Sequence, residues 1–391
     1  MEPEHASDVT PVRTRPFPAW PRPTEAAATR LTAVLDSGHW WQSGHGAAEE
    51  LEARLAADHG ATGSVAVANG TVALEVALRA LGVGPGDEVL VPATTFVSSA
   101  SAVATTGGCP VPVDVLDTTW CVDPAAAEAA VTPRTRALIV VHLAGQPVDL
   151  DASRALCDRH GIALVEDSAQ ATTARWRDAR VGTVGDLTTF SFQAAKLLPG
   201  GDGGAVLIRA DAALGRRVEL IANCGRPRGS GTYRYEEVGT NARISEFAAA
   251  LVLAHIPAYE ELWQIRDRNA TELTERLRAL DPGFLVDTDH AVTRHDRYMF
   301  LLRLPERVRA TGLTNAAAAT ALTASGIPTS VMYPPWCATP AYGRYAADMP
   351  VAELAGTAGL WLHHRLLLDD DVADDVVLAL RRVCAAAGVR L

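Results

Sequence analysis

The segment that decides the fold reads ALIVVHLAGQPVDLDASRALCDRHGIALVEDS and spans residues 137–168. It begins and ends with apolar runs, 137–144 and 162–168, that are continuous rather than alternating. Such runs are typical of strands buried on both faces of a parallel sheet. Between them, residues 149–160 have helical spacing and stop at Gly161, a residue suited to the position after a helix. The segment therefore predicts a strand, a crossover helix and a second, parallel strand.

The same alternation continues towards the N terminus. Two further apolar runs, EVLVPA and PVPVDV, precede the segment, and a helical stretch, TVALEVALRAL, comes before them and ends at the turn GVGPGD. Residues 24–250 are thus predicted to form a large α/β domain around a mostly parallel central sheet. Residues 1–23 are rich in proline and predict an arm that packs late in folding or on a neighbour.

The pattern changes after about residue 250. Residues 246–280 predict one long amphipathic helix with Arg and Glu on its outer face. A strand at 298–304, an Ala-rich helix at 314–325 and a closing helix at 371–387 follow. We expect a smaller α+β domain over residues 251–391.

Composition excludes several classes of protein. A chain of 391 residues with 48% hydrophobic and 21% charged residues is typical of a globular enzyme of two or three domains. The net charge of -11 argues against binding to nucleic acid or to an anionic membrane. No apolar run reaches transmembrane length and the N terminus has no hydrophobic signal core, so we expect a cytoplasmic protein. Six cysteines without a CxxC pair predict neither a metal site nor a disulfide framework.

The most informative count concerns the cations. Of the 35 Lys and Arg residues, 34 are arginine and one, Lys196, is lysine. Arginine keeps its proton in proteins and cannot act as an amine nucleophile. Lys196 is therefore the first candidate for a catalytic residue.

Acidic residues lie near Lys196 in the predicted fold. Glu166 and Asp167 follow the strand IALV, at the carboxyl end where open α/β sheets bind ligands. Lys196 comes after the next strand, and the glycine-rich turn 200–204 beyond it would let the backbone approach a ligand. A carboxylate for a pyridinium nitrogen and a lysine for a Schiff base are the groups that pyridoxal 5′-phosphate (PLP) needs.

A phosphate site accompanies these groups. Gly70 and Thr71 begin a helix, where free N–H groups and the helix dipole attract a phosphate, and Ser191 can add a hydroxyl. Each element also has an ordinary structural explanation: an acidic helix cap, a common turn, a structural hairpin. Their occurrence together beside the one lysine favours the cofactor.

The residues also carry a family resemblance. The ordered motifs NGT, ATTFVSSA, VHLAGQPVDLD, VEDSAQA, FSFQAAK, GGDGGAV and GTNARISEFAAA resemble the DegT/DnrJ/StrS family of PLP-dependent aminotransferases, which have the aspartate aminotransferase fold (fold type I). The resemblance runs from about residue 25 to the C terminus. Within the family, GHWWQSG, NCGRPR and WLHHRLLL are similar to 3-amino-5-hydroxybenzoate (AHBA) synthases, and the chain is also similar to aminocyclitol and sugar aminotransferases.

The resemblance implies a role for each matching residue. Lys196 would bond to the cofactor aldehyde and move a proton during the reaction, and Asp167 would pair with the pyridinium nitrogen. Phe96 would stack on the ring, and Gln170 would lie near its other face or its phenolic oxygen. The phosphate would be held by Gly70, Thr71 and Ser191, and by Asn241 of a neighbouring subunit. The resemblance therefore implies a homodimer with shared active sites.

Substrate recognition leaves alternatives open. A carboxylated substrate is best held by an arginine fork, for which Arg226 and Arg228 are candidates; a solvated basic turn is the alternative. The same choice between a substrate contact and ordinary packing applies to Trp41, Tyr233 and His364.

The expected function is transfer of an amino group from L-glutamate or L-glutamine to a keto-cyclitol or keto-sugar in antibiotic biosynthesis. The alternative is an AHBA synthase, which dehydrates and aromatises an aminoshikimate-type substrate. Those enzymes carry AHAHGARW where this chain has AQATTARW at 169–176, and the difference puts the aromatising reaction in doubt. A non-catalytic paralogue that partners an oxidoreductase is a third possibility, against which the presence of Asp167 and Lys196 argues.

Overall fold

The structure is a computed structural model that describes residues 11–42, 44–209, 211–229, 231 and 233–391, so the first ten residues of the expected arm lie outside the described part. Its strands are β1 (Gly63–Val67), β2 (Glu88–Pro92), β3 (Cys109–Val113), β4 (Thr135–Val141), β5 (Ala163–Asp167), β6 (Arg175–Trp176), β7 (Ala179–Arg180), β8 (Leu187–Ser191), β9 (Gly204–Ile208), β10 (Val292–Arg294), β11 (Met299–Arg303), β12 (Thr329–Val331) and β13 (Gly359–His363).

The α-helices lie between and after these strands. They are α1 (Glu25–Ser37), α2 (Ala47–His59), α3 (Gly70–Ala80), α4 (Ser98–Thr105), α5 (Pro124–Ala129), α6 (Leu150–His160), α7 (Ala212–Ala222), α8 (Glu246–His255), α9 (Tyr259–Leu280), α10 (Glu306–Arg309), α11 (Asn315–Ala324), α12 (Pro350–Ala358) and α13 (Val372–Ala386). Among the helices of the described residues, none has both the length and the apolar character needed to cross a membrane.

The central sheet has seven strands in the order β1-β9-β8-β5-β4-β2-β3. The pairings from β8 through β5, β4 and β2 to β3 are all parallel, and β9 runs antiparallel to both of its neighbours. The predicted mostly parallel α/β sheet is confirmed, with the four apolar runs of the sequence appearing as β2, β3, β4 and β5. The helix that was predicted between β4 and β5 is α6, which ends at Gly161 in the left-handed conformation.

The far edge of this sheet is formed by β3, which has the sequence CPVPV. The N–H of Cys109 points towards β2, where it donates to the carbonyl of Asp87 at 2.8 Å. Successive amides alternate in direction along a strand, so Pro110 and Pro112 occupy the positions whose amides would point away from the sheet. The outer edge of β3 thus lacks two N–H donors.

The antiparallel strand β9 follows β8 after the loop at 192–203. Two glycines make close contacts between these strands and the start of α3. A Cβ atom on Gly204 would lie 2.5 Å from the backbone carbonyl of Asn69, and one on Gly70 would lie 2.8 Å from the Cβ of Ser191. The absence of these two side chains therefore lets the start of α3 pack directly on β8 and β9.

The predicted continuous helix over residues 246–280 is wrong. The chain forms α8, then a 3₁₀ turn at Ile256–Ala258, and then α9. Pro257 lies in this turn and has no N–H to donate to the preceding helical turn, so the regular hydrogen-bond ladder is interrupted there.

The C-terminal part has its own small sheet and its own apolar cluster. The sheet is antiparallel in the order β11-β13-β12, and its side chains pack against those of α9, α11 and α13. Phe17 of the N-terminal arm joins this cluster. Trp336 extends back to the large sheet, where its indole N–H donates to the carbonyl of Pro92 at 3.0 Å. The domain boundary near residue 250 stays a prediction.

We predict that Gly204→Ala lowers the free energy of unfolding by about 1–3 kcal/mol, because the new methyl group must displace backbone rather than a flexible side chain. Urea denaturation followed by circular dichroism measures this change. The control is Gly343→Ala, where a Cβ would meet nothing within 4 Å. Equal stability of the two variants would contradict the packing described for β9 and α3.

Candidate active site

A cavity of about 720 Å³ lies where α3, β5 and the loop between β8 and β9 meet. The large sheet contributes the walls that carry most of the predicted cofactor residues, and the C-terminal part contributes aromatic side chains. The residues of the predicted site that line it are Gly70, Thr71, Phe96, Asp167, Gln170, Ser191 and Lys196. The structure therefore brings together seven side chains or backbone positions that are up to 126 residues apart, from Gly70 to Lys196.

Lys196 is partly exposed to this cavity but largely surrounded by protein. Its Nζ lies 4.5 Å from the centre of the Tyr298 ring, which offers a cation–π contact. Burial lowers the pKa of Lys196 to about 8, and the negative charge of Asp167 opposes the shift. A substantial fraction of this amine is thus neutral and nucleophilic near physiological pH.

Asp167 ends β5 with its carboxylate buried. The carboxylate accepts hydrogen bonds from the hydroxyl of Ser99 at 2.8 Å and from the N–H of Ala169 at 3.1 Å. Burial raises the pKa of Asp167, while these hydrogen bonds and the charge of Lys196 work to lower it. The ionised form is therefore only partly compensated, and a further cation in the cavity would stabilise it.

The neighbouring acid, Glu166, points to the other side of the sheet, as successive strand residues do. Its carboxylate is fully buried and pairs with the Nε2 of His142 at 2.9 Å. It also accepts from the N–H groups of Gly182 and Gly185. Burial works to raise the pKa of Glu166, but the contacts with His142 and these amides hold it below its usual value. Glu166 thus stabilises the loop before β8 and leaves Asp167 as the carboxylate of the cavity.

The start of α3 forms one end of the cavity. Asn69 caps the helix by accepting from the N–H of Val72 at 2.9 Å, and the first amides of a helix have no partner within it. The hydroxyl of Thr71 lies 2.7 Å from that of Ser98, and Ser191 borders the same space. Amides, hydroxyls and the positive end of the helix dipole here suit an anion.

Phe96 and Gln170 lie on different walls. Phe96 is 56% exposed, and its ring centre is 6.1 Å from that of Tyr333. Gln170 is buried and accepts through Oε1 from the N–H of Ala144 at 2.6 Å. Because this bond fixes the orientation of the amide, the N–H groups of Gln170 are the ones available to a ligand.

Sequence analysis missed the aromatic and polar residues that complete the cavity. Tyr298, Tyr333 and Trp361 come from the C-terminal part, and Gln193 and Asp202 come from the loop that carries Lys196. Trp361 belongs to the motif WLHHRLLL, of which only His364 was predicted as a site residue. No local pattern in the sequence marks the two tyrosines, because only the tertiary fold brings β11 and the end of β12 to the cavity.

Several of the expected substrate residues lie elsewhere in the same chain. Trp41, Arg226 and Arg228 line a separate crevice of about 310 Å³, and Tyr233, which is 81% exposed, lies beside Arg226. The guanidinium of Arg228 donates to the carboxylate of Glu52 at 2.7 Å. Its charge is therefore already paired in this subunit.

His364 and Asn241 are also outside the cavity lining. His364 is fully buried behind the lysine, with its Nε2 3.1 Å from the carbonyl of Ala195. Asn241 is exposed and pairs through its backbone with Asn223. The proposed roles of these residues towards substrate and cofactor stay predictions.

Comparison with known proteins gives the class and then the family. The fold and the lysine–carboxylate cavity are those of a PLP-dependent transferase of fold type I. The DegT/DnrJ/EryC1/StrS aminotransferase family model matches residues 21–381, and the chain belongs to this family. The expected PLP-dependent aminotransferase is thereby confirmed.

Similar proteins are found among curated sequences and solved structures. An L-glutamine:2-deoxy-scyllo-inosose aminotransferase of Micromonospora echinospora is 39% identical over 411 aligned positions, which cover 96% of either chain. The crystal structure of an AHBA synthase superposes with a TM-score of 0.87 at 36% identity and covers 94% of this chain and 99% of its own. A Streptococcus pneumoniae protein assigned as a sugar aminotransferase, solved in its PLP form, has a TM-score of 0.86 at 26% identity, with 95% and 99% covered.

We predict that amine-specific labelling of Lys196 in cofactor-free protein rises with pH around a midpoint near 8, because only the neutral amine reacts. Asp167→Asn should lower this midpoint further, since the carboxylate favours the charged amine. Peptide mass spectrometry separates Lys196, the one lysine of the chain, from the α-amino group. A midpoint near the ordinary lysine value of 10.5 would contradict the described environment.

Proposed function

We propose that the protein transfers the amino group of L-glutamine or L-glutamate to a keto-cyclitol or keto-sugar, with PLP as its cofactor. The observation that carries this proposal is the amine of Lys196, with its lowered pKa, in one cavity with buried Asp167 and the start of α3. The relative from Micromonospora echinospora, which is named for the same type of reaction, supports the choice of donor and acceptor.

The residues present fit PLP at each of its ends. Asp167 is a buried carboxylate that a cationic ring nitrogen would stabilise as an anion. Gly70 supports a phosphate position, because a Cβ atom there would collide with Ser191 and close the space in front of α3. Thr71 and Ser191 would add hydroxyl donors, and Phe96 and Gln170 would contact the ring from the two walls.

Bound PLP supplies an aldehyde carbon that takes up the amino group and a cationic ring that withdraws electrons from the reacting carbon. Asp167 would keep the ring nitrogen protonated. The Nζ of Lys196 would first bond the cofactor and then, once an amino donor has replaced it, accept and return the proton at the reacting carbon. The face of Tyr298 would hold the protonated amine between these transfers.

The outer part of the cavity suits an acceptor with many hydroxyl groups. Tyr298, Tyr333 and Trp361 present aromatic faces, and burial raises the pKa of Tyr298 to about 12, so its phenol stays neutral. Asp202 and Gln193 are exposed at the rim and can accept hydrogen bonds from ring hydroxyls.

We further propose a homodimer in which Asn241 reaches the cofactor phosphate of the partner subunit. Several large apolar side chains are exposed in the single chain: Trp41, Phe96, Tyr233, Tyr235 and Val238. A second copy of the chain would cover them and bring the crevice of Trp41 and Arg226 towards the opposite cavity. The six cysteines are all free thiols, which supports a cytoplasmic location.

We predict that the PLP-loaded protein converts 2-deoxy-scyllo-inosose and L-glutamine to the aminated cyclitol, and that Lys196→Arg abolishes the reaction while keeping the fold. Arginine keeps the positive charge but cannot give a neutral amine. Product formation is measured by mass spectrometry, and folding by circular dichroism. Activity of Lys196→Arg equal to that of the wild type would sink the assignment of Lys196.

The second candidate is AHBA synthesis, which the TM-score of 0.87 to an AHBA synthase favours. This reaction removes water and makes an aromatic ring, so its product absorbs in the near ultraviolet, whereas an aminocyclitol does not. We expect no aromatic absorption when an aminoshikimate-type substrate is supplied. Appearance of that absorption would replace the cyclitol proposal with the second candidate.

We predict that mixing inactive Lys196→Arg and Asn241→Ala dimers, followed by subunit exchange, restores activity. A mixed dimer has one site with both defects and one site with neither, so random exchange of equal amounts gives about a quarter of the wild-type activity. Each variant alone, carried through the same exchange, is the control. Failure to recover activity when mass spectrometry shows mixed dimers would mean that Asn241 does not act across the interface.

A further inference from the structure

The N-terminal arm is anchored on the C-terminal part of the same chain. The N–H groups of Val12 and Arg13 both donate to the carbonyl of Ser325, at 2.9 and 3.1 Å. The guanidinium of Arg13 donates to Asp369 at 2.6 Å and to Asp375 at 2.7 Å. Arg13 and Asp369 are buried, so this pair is shielded from solvent and fixes the path of the arm.

The arm then passes behind the lysine. The indole N–H of Trp20 donates to the main-chain carbonyl of Lys196 at 3.0 Å. The ring of Trp20 stands edge-on to that of His364, with 4.7 Å between the ring centres and 87° between the planes. A side chain more than 170 residues away in sequence thus contacts the backbone of the residue that carries the reactive amine.

His364 makes the same kind of contact one residue earlier. A carbonyl oxygen can only accept, so the Nε2 of His364, at 3.1 Å from the carbonyl of Ala195, carries the hydrogen and donates it. Burial, with His363, Arg266 and Lys196 nearby, lowers the pKa of His364 well below its usual value, so the ring is neutral. The consecutive carbonyls of Ala195 and Lys196 therefore accept hydrogen bonds from the rings of His364 and Trp20, which lie outside the loop.

The loop between β8 and β9 needs such outside partners. Its own hydrogen bonds join Phe192 with Gly203 and with Gly200, and Ala194 with Gly201, and the N–H of Lys196 donates to Gln193. In these bonds Ala195 and Lys196 do not use their carbonyls. These partly buried carbonyls accept instead from the ring N–H groups of Trp20 and His364.

We propose that Trp20 and His364 are positioning residues. By hydrogen-bonding the main-chain carbonyls of Lys196 and Ala195, they fix where the Lys196 side chain starts and the direction in which it enters the cavity. The inference rests on the proposed function for its effect on turnover, although the geometry of the lysine can be measured without any substrate. The arm is thus a structural part of the active site: its far end is fixed by Arg13, and its near end holds the lysine.

The test compares Trp20→Phe with Trp263→Phe in the full chain. The first substitution keeps an aromatic ring against His364 and removes the N–H that reaches Lys196. The second removes an equivalent indole N–H, which donates to the carbonyl of His295 at 2.9 Å, away from the cavity lining. Both variants lose one indole–carbonyl hydrogen bond, so an effect that comes only from losing such a bond should appear in both.

Two readouts are used. In cofactor-free protein, the pH midpoint for amine-specific labelling of Lys196 should rise towards 10.5 in Trp20→Phe, because a loosened lysine is better solvated, and should stay unchanged in Trp263→Phe. In PLP-loaded protein, kcat should fall about tenfold in Trp20→Phe with KM for the acceptor little changed, since misplacement affects the chemical step.

His364 gives an independent variant pair. His364→Leu removes the donor to Ala195 and should behave as Trp20→Phe, whereas His364→Gln keeps an N–H and should restore most of the labelling midpoint. A labelling midpoint in Trp20→Phe equal to those of the wild type and Trp263→Phe would overturn the inference. If the wild type does not aminate the cyclitol, the proposed function fails, and the labelling midpoint still decides the positioning role.

Discussion

Asp167 ends β5, Lys196 lies in the loop after the neighbouring strand β8, and protein largely surrounds both of these oppositely charged groups. Burial acts against the charged form of each group, raising the pKa of Asp167 and lowering that of Lys196, while each charge favours the other. A bound cation beside Asp167 would therefore stabilise the ionised carboxylate, while Lys196 still offers a neutral amine. Other features of the cavity, including the close approach at Gly70 and the two carbonyl contacts behind the lysine, keep these groups in place.

The family relationship and the geometry explain different parts of the function. Membership in the aminotransferase family accounts for the lysine, the carboxylate and the phosphate end, which any member with this chemistry needs. Under the proposed function the acceptor would contact Tyr333, Trp361 and Asp202. Of these, Tyr333 lies outside the motifs that resemble the family, whereas Asp202 lies within GGDGGAV and Trp361 within WLHHRLLL. The motifs therefore mark most of the cavity lining, and the C-terminal part adds Tyr298 and Tyr333, which no motif marks.

Much of the fold and the reactive groups could be predicted from sequence, because local signals mark them. Continuous apolar runs gave β2 to β5, and the lone lysine stood out against 34 arginines. The helix break at Pro257 was missed because amphipathic spacing continues across it. The setting of Arg228 was missed for another reason: a basic motif does not reveal that Glu52, 176 residues earlier, pairs with it. The same holds for His364, whose buried contact with Ala195 depends on the packing of two distant segments.

The prolines at the outer edge of β3 have a consequence for how copies of the chain can meet. An open strand edge is a template on which another molecule can add a strand, and repeated addition leads to aggregates without a fixed size. With Pro110 and Pro112 in place of two outward donors, the β3 edge of the large sheet offers little for such growth. Contacts between copies that form at this end of the sheet are therefore left to side chains, helices and loops, whose contacts can close into an assembly of defined size.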